Sequence, residues 1–124
     1  AVARAYLLAH PEQRLRAAQQ AAYAAMLHRR MQGEPIAYIL GEREFFGLKL
    51  QVTQATLIPR PETELLVEQA LAWIPKDAEA QAADLGTSSG AIALALARER
   101  PRCHVIATDA SAAALSVAPL NQLQ

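Results

Sequence analysis

The spacing of apolar and polar positions changes character three times along the chain. Up to about Gly33, Leu15, Ala18, Ala22 and Met26 recur three or four residues apart, and Tyr23 and Leu27 widen the stripe. Arg14, Gln20 and Arg30 fall elsewhere around the axis, so the pattern predicts an amphipathic helix. Pro11 separates it from a shorter helix before it, and the Gly33-Glu34-Pro35 run predicts its stop. Two helices bury little by themselves, so residues 1–33 are expected to be the end of a helical bundle. From Ile36, Tyr38, Ile39 and Leu40 through Glu44-Phe45-Phe46-Gly47 to Leu48-Lys49-Leu50-Gln51-Val52 the period shortens to two. β-Branched and aromatic residues with glycine punctuation predict short strands over residues 34–56, most simply a hairpin. Leu48, Leu50 and Val52 should then face a core, and Lys49 and Gln51 water.

The third pattern alternates strand and helix. Pro59 and Pro61 stiffen an extended entry to a helix, with Pro61 suited to its first position and Glu62 and Glu64 to its positive end. Val67, Ala70, Leu71 and Ile74 form the stripe of that helix, and Trp73 is read as a packing residue on it. Residues 75–81 read as a polar linker. Residues 82–85 and 104–108 are short apolar runs flanking a helix-forming stretch, which makes a βαβ unit with parallel strands. Residues from Ser111 to about Ala118 are expected to start a further helix.

Composition narrows the function classes. Twelve basic and twelve acidic residues cancel, so no global field steers the chain to nucleic acid or an anionic membrane. The apolar fraction of 52% includes much alanine, and each alanine buries little area, so a lean core is expected. Cys103 is the single cysteine, which excludes an internal disulfide and fits a reducing, cytoplasmic setting. At the head of an apolar run it reads as a buried thiol and not a nucleophile. No apolar run reaches the ~18 residues of a membrane span, and no signal-peptide pattern opens the chain. His10, His28 and His104 lack ligand spacing, so no metal site is expected.

The candidate chemistry sits in Asp-Leu-Gly-Thr-Ser-Ser-Gly at residues 84–90, between a strand and a helix. Such a turn leaves backbone N–H groups for an adenosine-containing ligand, and Asp109, ending the next strand, is placed to hold ribose hydroxyls. The dinucleotide order G-x-G-x-x-G fails, because Ser88 and Ala91 stand at two of its glycines. The acid-x-G-x-G-x-G order of methyltransferases fits Asp84, Gly86 and Gly90, with Ser88 at the middle glycine. Glycine there would allow close approach and positive φ; a side chain would crowd a methionine moiety, which predicts tighter cofactor binding by Ser88→Gly.

Three stretches point further: residues 33–41 (Gly-Glu-Pro-Ile-Ala-Tyr-Ile-Leu-Gly), the Glu44-Phe45-Phe46-Gly47 block, and residues 57–64 (Leu-Ile-Pro-Arg-Pro-Glu-Thr-Glu). Together with the loop and Asp109 they resemble the HemK/PrmC family, the release-factor glutamine methyltransferases, over residues 26–109. The Ile-Pro-Arg-Pro-Glu-Thr-Glu segment is the most specific part. The resemblance implies a helical domain that recognises a release factor (1–33), a β-hairpin linker (34–56) and the first part of a Rossmann-like, S-adenosylmethionine-dependent methyltransferase domain (57–124). It implies a peptide-chain release factor as partner, with neither nucleic acid nor membrane, and transfer to the side-chain nitrogen of a Gly-Gly-Gln glutamine. By position, Gly86, Thr87, Ser88, Ser89 and Gly90 would surround the methionine and ribose of the cofactor, Asp109 would take the ribose hydroxyls, and Arg60, Pro61 and Thr63 would lie beside the pocket.

The family's downstream Asn-Pro-Pro-Tyr segment, which orients the receiving amide, does not occur in these 124 residues, and Pro119-Leu120-Asn121 does not supply it. The chain is therefore expected to be a piece of a longer enzyme, inactive by itself. Two alternatives stay open: a nucleic-acid amino-methyltransferase of the same fold, and a non-catalytic binding module whose loop is an ordinary turn. Arg60 could equally serve as an ion-pair partner of Glu62 or Glu64, and Phe45-Phe46 as hairpin core.

Overall fold

The computed structural model describes residues 4–122. It divides into two compact units, Ala1–Pro35 and Ile36–Gln124. The first holds α1 (Arg4–Ala9) and α2 (Ala17–Met31), separated around Pro11. At the start of α2 the Arg16 N–H donates to the Gln19 side chain at 2.9 Å. Its end is a Schellman motif: Gly33 takes φ +91°, its N–H reaches the Arg30 carbonyl, and the Glu34 N–H reaches that of Arg29. Arg29 grips Glu34 with both its Nε and an Nη, and each holds the other in its charged form: the Arg29 pKa is raised and that of Glu34 lowered. No residue of α2 is buried, and Tyr23, Met26 and Leu27 of its stripe are exposed.

The second unit opens with a difference from the sequence expectation. Residues Ile36–Leu40 form a short helix, α3, and not a strand. Their β-branched and aromatic content lost to a tertiary reason: one helical turn buries Ala37 and lets the Tyr38 hydroxyl reach the Thr56 carbonyl at 2.6 Å. The hairpin proper is β1 (Glu42–Phe45) and β2 (Leu48–Gln51), antiparallel, with Phe45 opposite Leu48. Along β2 and the residue after it, Leu50 and Val52 are buried, Leu48 is half-buried, and Lys49 and Gln51 are exposed, as the alternation requires.

The two-residue connection Phe46-Gly47 has φ of +49° and +70°, the primed turn that matches strand twist. Phe46 is an uncommon residue for that backbone. Its N–H donates to Glu64 Oε1 at 2.9 Å, its carbonyl accepts from Arg98 Nη2, and the Gly47 N–H donates to Glu44 Oε1 at 2.9 Å.

A 3-10 turn, Pro61–Thr63, leads into α4 (Glu64–Trp73), so Pro61 does open helical structure. Val67 is fully buried, while Ala70, Leu71 and Ile74 are partly buried. Trp73 is 85% exposed and not the packing residue expected. At about 100° per residue it lies off the Val67–Leu71–Ile74 stripe, on the water side of the last turn. The helix end is closed by Arg100, whose Nε and Nη2 donate to the carbonyls of Ile74 and Leu71, both at 2.7 Å.

Strands β3 (Gln81–Leu85) and β4 (His104–Thr108) pair in parallel, Gln81 with His104 through Leu85 with Thr108, across α5 (Ala91–Glu99). The core joins Phe45 and Leu50 of the hairpin to Val67 of α4 and Ala91, Ala95 and Leu96 of α5. Small residues on α5 let the helices and hairpin close together, and truncating Phe45 would cost roughly 3–5 kcal/mol. Cys103 is buried just before β4. The last helix, α6 (Ala112–Gln122), starts where expected and runs on through Pro119. Its final turn is tied down by Asn121, which bonds Gln51 and Ser89. No helix among the described residues is long and apolar enough to cross a membrane.

Candidate functional site

Parallel pairing puts the carboxyl ends of β3 and β4 side by side, and the loop 86–90 and Asp109 therefore emerge at one edge. The loop is locked to that edge by its backbone. The N–H groups of Gly86 and Thr87 both donate to the Thr108 carbonyl, at 2.8 and 2.9 Å, and Gly90 N–H donates to the Thr87 carbonyl at 2.8 Å. Asp84 is half-buried behind the loop. Its Oδ2 accepts from the Thr87 hydroxyl at 2.7 Å and from the Ala93 N–H at 3.2 Å, so the strand-ending acid caps the first turn of α5. The two earlier N–H groups of that turn, on Ala91 and Ile92, have no intrahelical acceptor by geometry.

Gly90 is the position where only glycine serves. Its φ is +85°, and a Cβ there would meet Leu94 Cδ1 at 3.2 Å and Ala118 Cβ at 3.4 Å. Ser88, at the middle glycine of the methyltransferase pattern, adopts φ +54°, the left-handed backbone a glycine would take. Two bonds hold it there: its N–H donates to Asp109 Oδ2 at 2.8 Å, and its Oγ accepts the Leu57 N–H at 2.8 Å. The second ties the segment before the 3-10 turn directly to the loop.

Asp109 is half-buried and accepts on both oxygens, Oδ2 from Ser88 and Oδ1 from the Ser111 N–H at 2.8 Å. Backbone N–H donation from Ser111 first, then from Ser88 and to a smaller extent Ala110, lowers its pKa, against the opposing effect of burial. A carboxylate offers about four lone-pair sites, so acceptor capacity remains beyond the backbone bonds.

Loop and segment enclose one pocket of about 100 Å³, lined by Leu57, Ile58, Pro59, Arg60, Thr63, residues 86–89, Ala91 and Ile92. The structure thus brings together Arg60, Thr63, Gly86, Thr87, Ser88 and Ser89 from the sequence-based set. Pro61 and Gly90 do not line the pocket, and Asp109 joins through Ser88. Arg60 is exposed and makes no ion pair with Glu62 or Glu64; the Glu64 carboxylate is engaged by the Phe46 N–H instead. The apolar wall of Leu57, Ile58 and Ile92 carried no chemical flag in the sequence beyond its adjacency to Pro59 and Gly90. Among the described residues no three of His, Cys, Asp or Glu gather in a metal-binding group.

Residues 61–124 match the methyltransferase small domain model. The chain belongs to the methyltransferase small domain family. Its residues 1–41 match a second model, the PrmC N-terminal domain, which bears out the HemK/PrmC resemblance. Curated relatives agree. A release factor glutamine methyltransferase of Coxiella burnetii is 55% identical over 121 residues, covering 98% of this chain and 44% of that protein. Proteins of the same name are 54% identical in Salmonella typhimurium and 52% identical in Escherichia coli, each over 118 residues, 95% of this chain and 42% of the relative. The chain therefore spans less than half the length of the curated relatives it matches. Within this unit, the loop 86–90 and Asp109 lie together at the carboxyl ends of β3 and β4.

Proposed function

We propose that this chain supplies the donor-binding part of a protein-(glutamine-N5) methyltransferase that acts in the cytoplasm on the Gly-Gly-Gln glutamine of a peptide-chain release factor. S-adenosylmethionine is the methyl donor in this reading. Support for the substrate comes from the name the relatives share and their identity of 52–55% to this chain. Support for the donor comes from the edge itself, and above all from Asp109, a carboxylate kept ionised by backbone donors with acceptor capacity spare.

In that role Asp109 accepts the two ribose hydroxyls, and residues 86–90 pass close to the ribose and methionine portions, with Ser88 already in a glycine-like backbone. The helix-start N–H groups of Ala91 and Ile92 suit the methionine carboxylate. Arg60, Pro61 and Thr63 flank the pocket, Arg60 and Thr63 from its wall. When bound, the donor supplies an electrophilic methyl on a sulfonium. The receiving amide nitrogen is a poor nucleophile because its lone pair is delocalised, so it must be oriented by hydrogen bonds onto the methyl–sulfur axis. No Asn-Pro-Pro-Tyr occurs in these 124 residues to do so. We assign donor binding to residues 57–124, a linking role to 34–56, and release-factor recognition to 1–33.

Titration of S-adenosylmethionine into the intact polypeptide by calorimetry, and label transfer to a release factor, test this. Saturable binding with transfer to the Gly-Gly-Gln glutamine is expected, and loss of both in Asp109→Ala. Absence of donor binding by the intact protein would overturn the reading, and transfer by the 124-residue chain alone would overturn the assignment of the amide-orienting step elsewhere.

A further inference from the structure

Asn121 lies 7% exposed near the end of α6, and every polar atom of its side chain is used. Oδ1 accepts the Gln51 N–H at 2.6 Å, while Nδ2 donates to the Gln51 carbonyl at 3.1 Å and to the Ser89 carbonyl at 2.9 Å. The first two bonds mimic a strand neighbour: the amide pairs with the outward edge of β2 as backbone would. The third reaches the middle of the loop 86–90. Ser89 is itself 1% exposed, and its hydroxyl has no hydrogen-bond partner, so its own side chain does not hold it in place.

The anchors of the loop are distributed unevenly. Gly86 and Thr87 hang on Thr108, and Ser88 hangs on Asp109 and Leu57. From Ser88 to the first turn of α5 the backbone passes through two left-handed residues, Ser88 and Gly90, with Ser89 between them. At that reversal the Ser89 carbonyl has Asn121 as its donor.

We propose that Asn121 is a positioning residue for the donor loop, fixing the Ser89 carbonyl and so the direction in which the peptide at Ser89 and the start of α5 face the pocket. It does this from a rigid base, because the same amide is clamped to β2. The hairpin, α6 and the loop then move as one body. The consequence for donor affinity rests on the function proposed above; the consequence for loop order does not.

The test is Asn121→Ala and Asn121→Asp in the intact polypeptide, read by amide hydrogen exchange without ligand and by calorimetric titration of S-adenosylhomocysteine below the melting transition. Asp keeps the acceptor for the Gln51 N–H but places an oxygen against two carbonyls, so it serves if the alanine variant fails to fold. Expected is exchange at least tenfold faster in either variant at the Gly90 amide, which donates to the Thr87 carbonyl, and at the Leu94 amide, which donates to the Gly90 carbonyl, with α4 unchanged, and affinity weakened about tenfold. Faster exchange confined to β2 and α6, with the loop amides as protected as in the parent, would overturn the proposal and leave Asn121 a bridge between those elements. If the parent protein binds no S-adenosylhomocysteine, the exchange arm still decides the positioning role, and it is the donor reading that falls.

Discussion

Replacing Ser88 separates two opposing effects that meet in one residue. Ser88→Ala keeps the left-handed backbone but removes the oxygen that accepts the Leu57 N–H at 2.8 Å. Leu57 is exposed, so water partly replaces the bond, and the loss should be about 1 kcal/mol. Ser88→Gly removes the same bond but also relieves about 1 kcal/mol of left-handed strain. Against that relief stands the larger unfolded-state freedom of glycine, about 0.5–1 kcal/mol. The glycine variant should therefore lie within about 1 kcal/mol of the parent and be no less stable than the alanine variant. Each kcal/mol corresponds to roughly 4 °C for a domain of this size.

Both variants should speed exchange at the Leu57 amide, and both should weaken S-adenosylmethionine binding, since each frees one wall of the pocket from the loop. That direction reverses the expectation drawn from the missing glycine alone. The φ of +54° means the backbone already takes the glycine path, so a glycine gains no closer approach. Thermal denaturation, amide exchange and calorimetry on the intact polypeptide measure all three quantities. Unchanged Leu57 exchange in Ser88→Ala would refute the clasp, and tighter donor binding by Ser88→Gly would restore the crowding argument.

Asp109 should titrate below the ordinary carboxylate value of about 3.9, because its folded-state pKa is depressed. Its favourable contribution is then complete above that value and disappears as pH falls through the lower folded pKa. The Ser88 and Ser111 amide chemical shifts should report this midpoint in the parent and show no such step in Asp109→Asn; a midpoint above 4 would contradict the backbone-donor account. Arg100→Met keeps the apolar stem but strips the donors from the Leu71 and Ile74 carbonyls at the end of α4. It should cost about 2 kcal/mol, seen as a melting point several degrees lower, and an unchanged melting point would show that water caps the helix equally well.

The parts of the fold written in local periodicity were legible. The Leu48–Val52 alternation, the Val67–Ile74 stripe and the strand–Gly–helix order at Asp84 all follow from side-chain spacing, and all reappear in the structure. Residues 36–40 were misread because propensity favoured strand, whereas burial of Ala37 and the Tyr38–Thr56 contact, 18 residues apart, favoured one helical turn. Trp73 was misread by its size; its angle about the axis decides its exposure. The Phe46-Gly47 turn lacks the Asn-Gly or Asp-Gly signature, and only partners on Glu64 and Arg98 explain it. Within the pocket, glycine spacing indicated the loop and Asp109, but the Ser88–Leu57 bond spans 31 residues and the Asn121 bonds span 32 and 70. No local pattern announces pairings of that range.

The grip on the hairpin tip also bears on the order of assembly. The two strands can pair across a two-residue turn on a microsecond scale. The bonds that make Phe46 tolerable close over 18 and 52 residues, the latter requiring α5 to have docked. Until then an isolated hairpin bears the cost of a left-handed aromatic residue unaided. The tip thus works as a proofreading point during folding: its curvature becomes favourable only when both helices, and with them the loop after β3, are already in place.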